Sequence, residues 1–246
     1  MKGKHTIVTG AGSGFGAGIA AACHAAGAVV GVLDLNYDAA KQVAERLGTN
    51  AIALHADVTD RASLSQAFHQ FETHYTGIQV LINNAGLAQP PAPLEQVDEA
   101  FFDHLTAVNM KSIFHASQLL IPQMKAAGSG CILNIASTAG VSPRPNLTWY
   151  NATKGWVITA TKSMAVELAS SNIRVNAINP VAGETPMLAT FLGEDSQARR
   201  QAFTDSIPLG RLSTPQDIAQ AAVFLCSDAA SMITGVALEV DGGRCI

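Results

Sequence analysis

Charge is scarce in this chain of 246 residues, with 15 Lys and Arg, 19 Asp and Glu, and 14% charged in all. A net charge of -4 with no basic stripe leaves nothing to neutralise a row of phosphates, so nucleic acid is not an expected partner. Cysteine is also thin. Cys23, Cys131, Cys226 and Cys245 are far apart and form no C-x-x-C pair, which argues against a zinc site and a disulfide framework. The seven histidines include no H-E-x-x-H and read as surface or satisfied core residues, so no metal is expected. Long apolar runs are missing too. The stretch from Ile19 to Leu35 is interrupted by His24, by glycines and by Asp34, which excludes a membrane span. The opening "MKGKHTIVTG" enters a strand-like run without the charged, apolar and cleavage regions of a signal peptide. A cytoplasmic protein is the expectation.

Apolar residues are what the chain has in quantity, at 48%. The length suits one large α/β domain with a well-covered core, and residues 1–246 are read as that single domain. Short apolar runs cover 6–10, 28–34, 51–58, 80–86, 131–137, 173–180 and 235–243. Longer segments with helical periodicity, such as 38–48 and 62–75, separate them. The runs are nearly continuous and rich in β-branched residues, as strands buried on both faces are. Repeated βαβ units then predict an α/β fold: a doubly wound parallel sheet of about seven strands with helices on both faces. The least regular region, about 185–215, reads as an insertion of short helices over one sheet edge and as a substrate lid.

"TGAGSGFGAG" (9–18) follows the first run and opens a helix. Glycines there let the backbone turn tightly beside a pyrophosphate, whose charge the free N–H groups of a helix start attract. Two registers are open. Gly10, Gly14 and Gly16 give G-x-x-x-G-x-G, whereas Gly12, Gly14 and Ala17 give G-x-G-x-x-[GA]. Asp34 closes the second run, where a carboxylate accepts both adenosine-ribose hydroxyls and repels a 2′-phosphate. No basic residue accompanies it: Ser13 precedes Gly14, and Leu35 and Asn36 follow the acid. The charge logic favours NAD over NADP as cofactor.

With "NNAG" (83–86), Asn109, Ser137 and "YNATK" (150–154) added, the chain resembles the short-chain dehydrogenase/reductase family from Lys4 to the terminal "EVDGG". The resemblance implies a Rossmann fold, a nicotinamide cofactor and site roles that carry over position by position. Gly10, Ser13, Gly14, Phe15 and Gly16 would form the dinucleotide turn, with Asp34 and Leu35 at the ribose. Asp57 and Val58 match the adenine-contacting pair, and Asn84, Ala85 and Gly86 match the strand-four motif along the cofactor. Pro180 and Thr185 fall in register with the stretch that holds the nicotinamide carboxamide, with Gly183 between them. Val181 stands where the family has glycine, so a different backbone course is expected there. Ser137, Tyr150 and Lys154 are similar to the catalytic serine, tyrosine and lysine, and Asn109 to the helix-kink asparagine of the same catalytic set.

A phenol ordinarily ionises near pH ~10. Lys154, one helical turn from Tyr150, is expected to favour the phenolate through its charge. In the mechanism the resemblance implies, Tyr150 takes the proton of an alcohol as hydride leaves for nicotinamide. Ser137 orients the oxygen, Lys154 fixes the nicotinamide ribose, and Asn109 holds a water for proton relay. Substrate contacts are expected from 87–93, 141–149 and 185–210. They include Gln89 and Asn146 as polar contacts, Trp149 beside the tyrosine, and Met187, Leu188 and Phe191 as an apolar lid. Arg144 suits an anionic substrate group, although a surface or subunit contact is the commoner fate of such a residue.

The expected activity is NAD(H)-dependent hydride transfer between nicotinamide and a secondary, or small or aromatic, alcohol or its carbonyl partner. Two alternatives stay open. One is an NADPH-dependent 3-oxoacyl reductase, against which Asp34 speaks. The other is a non-catalytic NAD-binding sensor, which has no need of a tuned acid–base group. The resemblance also implies a homotetramer, in which the helix of Tyr150 and Lys154 packs Ala152, Gly155, Val157, Ala160, Ala165 and Ala169 against a symmetry mate.

Overall fold

Seven parallel strands, ordered β3-β2-β1-β4-β5-β6-β7, form one sheet among the described residues of the computed structural model. Those residues are 1–193 and 196–246; Glu194 and Asp195, part of the expected lid, lie outside the described residues. The strands are β1 (His5–Thr9), β2 (Val29–Asp34), β3 (Ala51–His55), β4 (Val80–Asn83), β5 (Gly130–Ile135), β6 (Ile173–Pro180) and β7 (Ala237–Val240). The helices are α1 (Gly14–Ala25), α2 (Tyr37–Leu47), α3 (Arg61–His74), α4 (Glu99–Thr106), α5 (Ser112–Ala127), α6 (Thr148–Leu168), α7 (Leu188–Leu192), α8 (Gln197–Asp205) and α9 (Pro215–Cys226). None is long and apolar enough to cross a membrane among the described residues.

Side chains alternate across the sheet, and each face has its own core. Val8, Val30, Val32, Val80, Ile82 and Leu133 pack with Ile19 of α1, Val43 of α2 and Ile218 of α9. Their strand neighbours Ile7, Leu33, Leu81 and Ile132 pack on the other side with Phe68 and Phe71 of α3, Leu120 of α5 and Leu168 of α6. Each such fully buried side chain contributes roughly 1.5–3 kcal/mol. Cys23, Cys131 and Cys226, far apart in sequence, converge in the first of these cores.

Several strands stop short of the apolar runs that encode them at the C-terminal end. β3 ends at His55 because Asp57 folds back to accept from the Thr59 N–H (2.8 Å) and hydroxyl (2.7 Å). β4 ends at Asn83, after which the Asn84 amide donates to the carbonyls of Thr9 (2.9 Å) and Gly10 (3.0 Å). Chain that leaves the ladder at this edge becomes available to line a site.

A buried polar ladder anchors α6 to the sheet. Asn83 Nδ2 donates to Asn134 Oδ1 (2.8 Å), Asn134 Nδ2 to Thr161 Oγ1 (2.9 Å), and Thr161 Oγ1 to the Val157 carbonyl (2.8 Å). Each group is satisfied, so the ladder fixes the helix without an unpaired buried atom along it.

The irregular region is tied back by a bridge between Gly183 and Ser213, and Leu188, Leu192, Ile207 and Leu212 form a small core with Val181. One expectation needs correction. On α6, Val157 and Ala165 are buried within the chain's own cores, so they cannot face a partner. Ala152, Trp156, Thr159, Lys162, Ser163, Val166 and Glu167 are its exposed residues.

β1, the glycine turn and β4 meet at one crowded point. A Cβ on Gly16 would lie 2.2 Å from the Gly10 carbonyl oxygen and 2.4 Å from Asn84 Nδ2. Gly16→Ala is therefore expected to force the turn off β4 and to cost about 1–3 kcal/mol. Urea unfolding of the variant beside the parent checks it; an unchanged midpoint would contradict this packing.

Candidate active site

The strand order reverses direction between β1 and β4, and at such a switch point the loops beyond the strand ends part to leave a crevice. A cavity of about 680 Å³ occupies it. Every strand from β1 to β6 sends its C-terminal end or the residues just beyond into the wall: Gly10, Asp34, Asp57, Asn84, Ser137 and Pro180.

One half is shaped for a dinucleotide. Gly10, Ser13, Gly14, Phe15 and Gly16 line it, which selects the G-x-x-x-G-x-G register. Gly12 instead turns its N–H to Asp34 Oδ2 at 2.8 Å. Ser13 caps α1 without a side-chain hydrogen bond, so the first-turn N–H groups keep no partner from the cap. The Asp34 carboxylate is fixed on the wall by the Gly12 N–H and by the Asn36 N–H (2.9 Å), with Leu35 beside it. Asp57, Val58, Ala85 and Gly86 continue the wall.

Thr185 and Gly183 close over the glycine turn. A Cβ on Gly14 would lie 3.3 Å from Thr185 Cβ, and one on Gly183 would lie 2.3 Å from the Phe15 ring. Val181, the departure from the family pattern, keeps the strand's course, since its N–H still donates to the Val240 carbonyl at 3.4 Å. Its side chain is buried under α7. Helix-start donors uncapped by a side chain at one place and a held carboxylate at the other fit a pyrophosphate and a ribose diol.

The other half holds the reactive groups. Tyr150 and Lys154 sit one turn apart on α6, and both line the cavity with Ser137. Ser137 starts a short turn by accepting from the Ala139 N–H at 3.1 Å. That turn rests directly on α6, for a Cβ on Gly140 would lie 2.7 Å from the Lys154 carbonyl carbon. Gly140 thus sets the separation of serine and lysine, a role with no sequence signal of its own. Lys154 Nζ donates to the Ile135 carbonyl at 2.9 Å and lies 5.8 Å from the centre of the Tyr150 ring.

The electrostatics correct the expected effect of the lysine. Burial pushes Tyr150 up to about 12, and the Ser137 hydroxyl and then the Arg144 charge offset this only in part. Burial alone brings Lys154 down to about 8. Desolvation outweighs charge pairing, so the protein's own groups hold the phenol protonated at neutral pH.

Four expected contacts are placed elsewhere. Asn109 lies in a π-helical segment, Ala107–Lys111, and does not reach the wall. Its Oδ1 accepts from the Leu87 N–H (2.7 Å), and its Nδ2 donates to the Leu87 carbonyl (3.0 Å) and to Thr153 Oγ1 (3.1 Å). It ties the Leu87 backbone to Thr153 of α6. Gln89 and Asn146 are not on the wall either. Gln89 Oε1 accepts from the Tyr150 N–H (3.0 Å) and its Nε2 donates to the Asn146 carbonyl (3.2 Å), so it clamps the start of α6. Trp149 points away, stacking edge-on with Phe102 and donating to the Leu94 carbonyl.

Met187, Leu188 and Phe191 do line the cavity. Sequence reasoning missed Phe101 and His104 on α4 and Arg244, and it reached Phe203 of α8 only through the segment 185–210. It weighed Arg144 between an anionic substrate contact and a surface or subunit contact, and Arg144 belongs to the wall. Among the described residues no group of three or more His, Cys, Asp or Glu could hold a metal ion.

A family model described as Enoyl-(Acyl carrier protein) reductase matches residues 10–244. The chain is 44% identical over 242 residues to a 4-formylbenzenesulfonate dehydrogenase of Comamonas testosteroni, covering 97% of this chain and 96% of that one. A cis-4-hydroxycyclohexanecarboxylate dehydrogenase of Sinomonas cyclohexanicum is 38% identical over 240 residues, 96% of this chain and 94% of the relative. The crystal structure of a 3-ketoacyl-(acyl-carrier-protein) reductase from Brucella melitensis complexed with NADH superposes with a TM-score of 0.95 at 47% identity, covering 100% and 99% of the two chains.

The two displaced titrations act on stability with opposite signs. Between about 8 and its ordinary 10.5, Lys154 keeps fewer protons folded than unfolded, so stability rises with pH there. Between its ordinary 10.0 and about 12, Tyr150 keeps more, so stability falls. Lys154→Met should abolish the rising limb, on the order of 3 kcal/mol, and Tyr150→Phe the falling one. Urea midpoints from about pH 7 to about pH 11 read both.

Proposed function

The chain belongs to the short-chain dehydrogenase/reductase family, and from that premise we propose an NAD(H)-dependent oxidoreductase acting on a secondary, or small or aromatic, alcohol and its carbonyl partner. The observation that carries the reading is the meeting of Ser137, Tyr150 and Lys154 in the same cavity as the glycine turn and Asp34. The whole chain acts as one dinucleotide-binding and catalytic unit in this reading.

A bound nicotinamide supplies the hydride donor or acceptor. Tyr150 moves the proton. In carbonyl reduction its protonated phenol donates to the substrate oxygen, and in alcohol oxidation it accepts the hydroxyl proton. Raised to about 12, the phenol is present in its protonated form at neutral pH, the form that carbonyl reduction uses. Ser137 hydrogen-bonds the same oxygen and orients it. Lys154, held by the Ile135 carbonyl, presents its remaining N–H donors to the cavity.

The choice of NAD rests on Asp34. Its carboxylate is held on the wall with no basic side chain following it, so a 2′-phosphate there would meet an uncompensated negative charge. The solved Brucella relative, complexed with NADH, supports the same choice. Its name also favours a second reading, reduction of a 3-oxoacyl group. The relatives named for a formylbenzenesulfonate and a hydroxycyclohexanecarboxylate favour a ring-bearing substrate. For assembly we propose the homotetramer usual in the family, with Phe114 of α5 and Trp156 and Val166 of α6 as exposed apolar residues on which copies meet.

Turnover with NADH should exceed that with NADPH by more than tenfold, and Asp34→Ala should narrow the gap at least tenfold, roughly the effect of removing one charged interaction. Steady-state assays with both cofactors over aliphatic, aromatic, sugar and 3-oxoacyl substrates separate the readings. Tyr150→Phe should lower kcat/KM by about 10²–10⁴ while cofactor still binds. Full activity in that variant would refute the proton-transfer role.

A further inference from the structure

At the reactive end of the cavity the cations lack counter-ions. Arg144 and Arg244 both line the wall, and neither makes an ion pair among the described residues. The carboxylates on the wall are Asp34 and Asp57, beyond β2 and β3 on the far side of the switch point. A half-buried guanidinium without an anion is costly, and two that face one space repel each other. Burial and then the charge of Arg244 weaken the hold of Arg144 on its proton, against an opposing effect of Tyr150.

Arg144 is nonetheless held firmly. It stands between Pro143 and Pro145, whose fixed φ angles stiffen the loop. Its carbonyl accepts from Asn151 Nδ2 at 2.8 Å. Its guanidinium carbon lies 4.4 Å from the centre of the Phe203 ring and 5.7 Å from that of Phe191. Phe191 in turn stands edge-on to Tyr150 at 5.1 Å between centres. Phenol and guanidinium therefore flank one aromatic ring.

We propose that Arg144, with Arg244, forms an anion subsite that selects alcohols or carbonyls carrying a carboxylate or sulfonate across a ring from the reacting carbon. The inference rests on the oxidoreductase reading for the position of that carbon. A planar guanidinium offers paired N–H donors that match such oxygens, and the rings of Phe191 and Phe203 suit the apolar body between. An anion bound there compensates both arginines at once.

The test compares 4-oxocyclohexanecarboxylate with cyclohexanone, and 4-formylbenzoate with benzaldehyde, on the holoenzyme. The anionic member of each pair should show a kcat/KM at least about tenfold higher, the range of one charge-assisted hydrogen bond. Arg144→Gln should reduce that ratio about tenfold, mainly through KM. Arg244→Gln should reduce it less, and Arg144→Lys, which keeps charge but not the fork, should retain part of it. Equal use of both members by the parent, or an unchanged ratio in Arg144→Gln, overturns the subsite; in the second case Arg144 acts on Tyr150 or on the fold. If no alcohol or carbonyl is turned over with either cofactor, the oxidoreductase reading fails, and the subsite is judged by thermal shift with benzoate against benzamide. Stabilisation by benzoate that Arg144→Gln abolishes supports it, and an equal response to both ligands overturns it.

Discussion

A single ammonium held by a backbone carbonyl organises the reactive end of this protein. Lys154 Nζ reaches from α6 to the carbonyl of Ile135, at the end of β5, at 2.9 Å. The bond draws the helix onto the strand that delivers Ser137, and Tyr150 follows because it lies one turn earlier on the same helix. Burial opposes the arrangement, for an ammonium out of water favours its neutral form. The opposition is overcome elsewhere, by the Asn83–Asn134–Thr161 ladder and by the Gln89 clamp on the first turn of α6. The strain of placing a charge there is thus distributed over uncharged hydrogen bonds that are fully satisfied.

The sheet was legible in the sequence because its strands are buried on both faces, so near-continuous β-branched runs mark them one by one. β6 matches its run, residues 173–180, at both ends. The C-terminal ends of β3 and β4 were not legible. Asp57 and Asn84 end those strands by bonding backbone groups nearby or on another strand, and an apolar pattern does not register such bonds. The polar residues inside apolar runs, Asn83 and Asn134, were a signal of the ladder that periodicity alone passes over.

In the site, what was legible was local. Tyr150 and Lys154 are related by helical spacing, and Asp34 by its place at a strand end, so sequence order sufficed. Gln89, Gly140 and Arg144 depend on chain segments that meet only in the fold. Gln89 reads as a loop residue until its 61-residue reach to Tyr150 is known. The sign of the tyrosine shift failed for a related reason. Spacing says that an ammonium is near, but it does not say that both groups are withdrawn from water, and withdrawal is the larger effect here.

Low overall charge gives the distribution of charge in the cavity its meaning. In a chain with 14% charged residues, the wall collects two aspartates beyond β2 and β3 and leaves two arginines beyond the switch point without an ion pair among the described residues. Opposite charges at opposite ends of one crevice do not stabilise the fold, since they are too far apart to pair and each loses solvation. They act on what enters. In the reading proposed above, the acidic end takes a hydroxyl-bearing sugar without added phosphate, while the basic end takes a negative group beyond the reacting carbon. A cofactor and a substrate that met these requirements together would be oriented before any proton moved, and the phenol between the two ends would need only to respond to a carbonyl already in place.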